Sequence, residues 1–127
     1  MVESIETLLV EDASYAEFWK EDLEEYNFKV NHVWDKVSTM EALENGRYDV
    51  IVMDIGQAST GRRSYDLAIK ARELKPGALL IGVSAFPEVA EESWEHFDKV
   101  YSSLDFNGPF LIELLKERGY NIVERKK

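Results

Sequence analysis

The sequence predicts an α/β fold built on a mainly parallel sheet, and three observations carry that expectation. Apolar runs alternate with amphipathic ones from end to end, which is the pattern of successive βα units. Two of the runs, Val50-Ile51-Val52-Met53 and Leu80-Ile81-Gly82-Val83, are apolar almost throughout, as strands covered on both faces are. Three runs also end in polar residues: Glu11 and Asp12 after Leu8-Leu9-Val10, Asp54 after Met53, and Ser84 after Val83. If these runs are neighbouring parallel strands, all four side chains arrive at the carboxyl edge of the sheet, where open α/β sheets place their ligand sites.

Taken in order, strands are expected near Thr7 to Val10, Phe28 to His32, Val50 to Asp54, Leu79 to Ser84 and Val100 to Ser103, with the third and fourth central. Between and after them run five helical patterns. Tyr15, Phe18, Trp19, Leu23 and Tyr26 recur at helical spacing, with Asp12 as an N-cap candidate. Val37, Met40 and Leu43 mark a shorter helix closed by Gly46. Leu67, Ala68, Ala71 and Leu74 mark a third, stopped by Pro76-Gly77. Val89, Ala90, Trp94 and Phe97 mark a fourth, with Pro87 in its opening turn. Phe110, Leu111, Leu114 and Leu115 mark the last, entered through Asn107-Gly108-Pro109 and ended near Gly119. The result is a (βα)5 chain with short connections: one domain over residues 1–120 and a short, partly basic tail over 121–127.

Composition narrows the function. A chain of 127 residues is long enough for one core without staples, and with no cysteine it forms no disulfide. Its first residues are acidic where a secretory signal is basic, and no apolar run approaches a membrane span, so a cytoplasmic protein is expected. A formal net charge of −10 argues against direct nucleic-acid binding, because that affinity needs Lys and Arg to neutralise phosphates. The acidic stretches from Glu17 to Glu25 and from Glu88 to Asp98 read as solvated helix faces. His32 and His96 have no partner spacing and read as structural or surface residues.

Three carboxylates and a hydroxyl at one edge suggest a magnesium site that handles phosphate. A carboxylate that attacks a phosphoryl group approaches charge of its own sign, and a divalent cation offsets that repulsion. Magnesium favours a few carboxylates with water and substrate oxygens. On this reading Glu11 and Asp12 hold Mg2+ directly or through water, Asp54 shares it while serving as nucleophile, and Ser84 hydrogen-bonds a phosphoryl oxygen. Taken singly, Asp12 as a helix cap, Asp54 as an acceptor of loop amides and Ser84 as a local backbone partner are equally available readings.

With these residues in view, nearly the whole chain resembles a response-regulator receiver domain of the CheY-like family. The family's acidic pair matches Glu11-Asp12, its phosphoacceptor matches Asp54, and the Ser/Thr-Ala pair closing strand four matches Ser84-Ala85. The resemblance implies a flavodoxin-like doubly wound sheet of strand order 2-1-3-4-5. It also implies a metal ligand in the backbone carbonyl of Gly56 and a switch aromatic in Tyr101, which reads equally as a fixed core tyrosine.

The chain departs from the family after strand five, where a Lys-Pro pair is usual. Here the segment is Tyr101-Ser102-Ser103-Leu104-Asp105-Phe106; Leu104, or Ser103 with a one-residue shift, occupies the lysine position and brings no cation. The loop Gln57-Ala58-Ser59-Thr60-Gly61 replaces the family's Met-Pro stretch. Arg62 and Arg63 follow it and are either exposed arginines or a substitute for the lysine, while Lys99 should lie toward the opposite edge.

The leading expectation is a stand-alone, atypical receiver-like module of a two-component phosphorelay, not an enzyme. It would accept phosphate on Asp54 from a histidine kinase or phosphotransfer protein and act on a downstream protein through its fourth-helix, fifth-strand and fifth-helix face. The alternative is a degenerate receiver that binds its partner without phosphorylation, favoured by the missing lysine and opposed by the retained acids. A magnesium phosphohydrolase of the haloacid-dehalogenase type comes third, since it wants a second Asp where Gly56 stands. The P-loop and the dinucleotide glycine fingerprint are both missing from the sequence.

Overall fold

The computed structural model describes residues 4–11, 15–54, 66–84, 95–102 and 105–119. Within them the order of elements is β1 (Ile5–Val10), α1 (Tyr15–Glu24), β2 (Phe28–Val33), α2 (Lys36–Asn45), β3 (Val50–Asp54), α3 (Asp66–Leu74), β4 (Leu79–Ser84), β5 (Lys99–Ser102) and α4 (Gly108–Glu117). The five strands form one sheet in the order β2-β1-β3-β4-β5, and every pairing is parallel. This is the expected flavodoxin-like topology. Of the fourth helical pattern, Val89, Ala90 and Trp94 lie outside the described residues, as does the tail over 121–127, while Phe97 is described and packs into the core with Leu80 and Ala71.

Strand pleating divides the apolar residues between two cores. Ile5 and Leu9 of β1, Val50 and Val52 of β3, and Leu79, Ile81 and Val83 of β4 face α1 and α4, where they meet Ala16, Trp19, Leu23, Leu111 and Leu115. The alternate residues Leu8, Val10, Ile51, Met53 and Leu80 face α2 and α3, with Leu43, Ala68 and Ala71. All of β4 and the first four residues of β3 are therefore buried, which is why those two strands were continuous apolar runs.

The helices turn somewhat differently from expectation. Among the described side chains of α1, which leave out Tyr15, the buried ones are Ala16, Trp19 and Leu23, while Phe18, one residue off that stripe, is 70% exposed. In α2 Thr39 and Leu43 face the sheet and Val37 is exposed. Thr39 is tolerated inside because its hydroxyl donates to the Asp35 carbonyl at 2.6 Å. In α4 the buried set includes Ile112, and Phe110 points outward.

Helix ends follow local chemistry. Asp35 caps α2 by accepting from the Ser38 amide at 2.6 Å, and Asn107 caps α4 by accepting from the Phe110 amide at 2.9 Å. Beyond α4, Gly119 takes φ +90°, the left-handed geometry that favours glycine at a helix end.

Candidate functional site

The strand register sets which polar residues meet. Val10 of β1 pairs with Met53 of β3, so one further step along the same register brings Glu11 beside Asp54. Asp54 pairs with Val83 of β4, which places Ser84 diagonal to it, and Ser84 pairs with Ser102 of β5. Glu11, Asp54 and Ser84 thus close three adjacent strands at one carboxyl edge. The edge between β1 and β3 is also where the order reverses, since β1 has β2 on one side and β3 on the other, and such a switch point opens a crevice.

Glu11 is 2% exposed although it is a carboxylate, while Asp54 is half-buried at the strand end. The Glu11 amide donates to the Val33 carbonyl at 3.1 Å, extending the β1–β2 ladder by one residue. Its carbonyl accepts from His32 Nε2 at 2.8 Å. Ser84 is buried. Of the other residues expected at this site, Asp12, Gly56, Arg62, Arg63, Ser103 and Leu104 lie outside the described residues.

No protein-family model matches the sequence, and no curated protein does. Solved structures do. A CheY-like response regulator receiver domain protein from Methanospirillum hungatei JF-1 superposes with a TM-score of 0.74 at 23% identity, over 91% of this chain and 93% of its own. The receiver domain of a sensor histidine kinase from Pseudomonas aeruginosa PAO1, described with a magnesium ion coordinated in its active site cleft, gives 0.74 at 22% identity, over 90% and 96%. The response regulator TrrA from Thermotoga maritima, in complex with Mg2+ and BeF, gives 0.74 at 23% identity, over 89% and 97%.

The chain has the fold of a CheY-like receiver domain. Within this receiver fold Glu11 and Asp54 offer oxygen donors at one strand edge, the donor type that Mg2+ takes. Among the described residues no group of three His, Asp or Glu side chains is gathered to hold a metal.

At the far side of the receiver sheet, Tyr101 of β5 is half-buried and packs against the α1–α4 core. Its ring lies 6.3 Å from that of Phe110 and 5.9 Å from that of Phe106. Burial pushes the Tyr101 phenol above its ordinary value, and the carboxylates of Glu117 and Glu113 add to that. Lys99 begins β5 and pairs with Ile81, three residues before Ser84. Its ammonium sits 5.8 Å from the centroid of the Tyr101 ring, so this cation belongs to the β5–α4 surface, as its position in the strand implied.

His32 is the site contact that sequence reasoning missed. Spacing offers no signal for it. The β1–β2 register sets His32 opposite Leu9, and the ring reaches two residues further along β1 to Glu11.

Proposed function

We propose that this chain is a receiver-type signalling module that takes a phosphoryl group onto Asp54, with Mg2+ held by Glu11, Asp12 and the Gly56 carbonyl beside it. The observation that carries this is the register that sets buried Glu11 next to Asp54 at the switch point of a receiver fold. The magnesium of the Pseudomonas and Thermotoga neighbours supports the same ion here.

In the transfer, an Asp54 carboxylate oxygen attacks phosphorus of a phosphohistidine donor. The new O–P bond forms as the N–P bond breaks, and the electron pair stays with the leaving imidazole. Bound there, the ion offsets repulsion between the carboxylate and the incoming phosphoryl oxygens. The Ser84 hydroxyl donates to one of those oxygens after transfer. The message then passes to another protein through the surface between β5 and α4, where Tyr101, Phe110 and Leu114 lie among Lys99, Glu113 and Glu117. Among the described residues no helix is long and apolar enough to cross a membrane.

A second reading, a partner-binding module that works without phosphorylation, is favoured by one observation: Tyr101 to Phe106 contains no Lys or Arg. Intact mass spectrometry after incubation with acetyl phosphate and Mg2+ separates the two. The proposal expects the gain of one phosphoryl group in the wild type and none in Asp54→Asn. An unmodified wild type, or equal modification of the variant, overturns it.

A further inference from the structure

We infer that His32 is a positioning residue for the acidic corner after β1, a second-layer support of the metal site; the inference rests on the magnesium reading above. A carbonyl oxygen only accepts, so the contact of 2.8 Å between His32 Nε2 and the Glu11 oxygen requires the proton on Nε2. The distance is at the short end for an N–H···O hydrogen bond.

What this bond holds is specific. The Glu11 amide is already tied to β2 through the Val33 carbonyl, and β2 ends at that residue. The imidazole supplies a second tie from the same strand, so the amide and the carbonyl of Glu11 are both anchored on β2. The Glu11 carbonyl belongs to the planar peptide unit that follows Glu11, and a planar unit has no internal freedom. Fixing that oxygen therefore fixes the plane from which the chain leaves Glu11.

The centroid of the ring lies 5.6 Å from that of Trp34 at a tilt of 51°, which gives the imidazole one aromatic neighbour beside its contact with Glu11. A purely packing role explains little here: β2 is an edge strand, His32 is half-buried, and Trp34 is 59% exposed. Residues that orient metal ligands through hydrogen bonds change metal affinity without touching the metal. His32 fits that description through the backbone of Glu11.

The test is a Mg2+ titration of the full chain followed by amide NMR, on the wild type, Glu11→Gln, His32→Phe and His32→Gln, with a thermal melt of each. Phenylalanine keeps a ring against Trp34 and removes the donor; glutamine restores an amide N–H at a similar reach. The expected result is Mg2+ affinity reduced on the order of 10-fold in His32→Phe and held within about threefold of wild type in His32→Gln. Equal affinity in the wild type and a folded His32→Phe overturns the assignment of His32 while leaving the magnesium site standing. No Glu11-dependent response in the wild type overturns both. A measurement on the wild type alone guards against a variant that fails to fold: long-range proton–nitrogen correlation of the His32 ring at mildly alkaline pH should show the Nε2–H tautomer. The Nδ1–H tautomer would overturn the inference.

Discussion

Tyr101 and Phe110 stack nearly parallel across the junction of β5 and α4, at 6.3 Å and 8°, and the Tyr101 hydroxyl donates to the Phe110 carbonyl at 3.5 Å. The phenol is therefore held in its neutral form by burial first, and by Glu117 and Glu113 next. Because the folded value lies above the unfolded one, this contribution to stability is complete below the ordinary phenol range and is lost as pH rises through the raised value. Ultraviolet difference titration of the wild type against Tyr101→Phe should show this phenol ionising later than a free tyrosine. The variant should lose less stability on the alkaline side. Ionisation of Tyr101 in the ordinary range would contradict the packing described.

Asp98 joins the two helical layers at the amino edge of the sheet. Its carboxylate accepts from the Leu80 amide at 2.8 Å and from Arg72 of α3 at 3.3 Å, and it lies 4.0 Å from Arg118 at the end of α4. Asp98→Ala leaves the Leu80 amide without this acceptor and should cost about 1–3 kcal/mol in urea unfolding. Arg72→Ala breaks a partly exposed ion pair and should cost less than about 1 kcal/mol. Equal losses would mean that the ion pair and not the amide dominates.

The orientation of α1 is tested by two neighbours. Trp19 is 3% exposed and meets Phe106 edge to face at 5.4 Å, so Trp19→Ala should destabilise by about 3–5 kcal/mol. Phe18→Ser should stay within about 0.5 kcal/mol of wild type. A large loss at Phe18 would show it covered rather than exposed.

The central strands were the most legible part of this chain. Val50–Asp54 and Leu79–Ser84 are bounded in the structure where the apolar runs are bounded in the sequence, because burial on both faces leaves no alternation to misread. Edges were less legible: β1 begins at Ile5 rather than Thr7, with half-exposed Glu6 interrupting the apolar run. Helix faces were read too widely, since Phe18 and Val37 are apolar yet exposed, and periodicity alone does not tell the centre of a stripe from its shoulder. At the site, strand ends were enough to bring Glu11, Asp54 and Ser84 to one edge. The His32 contact depends on the register between two strands and the reach of a ring, neither of which local sequence encodes.

The most direct test of a phosphoacceptor at Asp54 is a set of amide NMR spectra of the protein alone, with Mg2+, and with Mg2+ and beryllofluoride, using Asp54→Asn as control. Mg2+ should shift amides around Glu11 and Asp54, and beryllofluoride should then add shifts that extend to Ser84 and Tyr101 and vanish in the variant. Spectra unchanged at both steps would contradict it and leave the receiver fold serving as a binding surface.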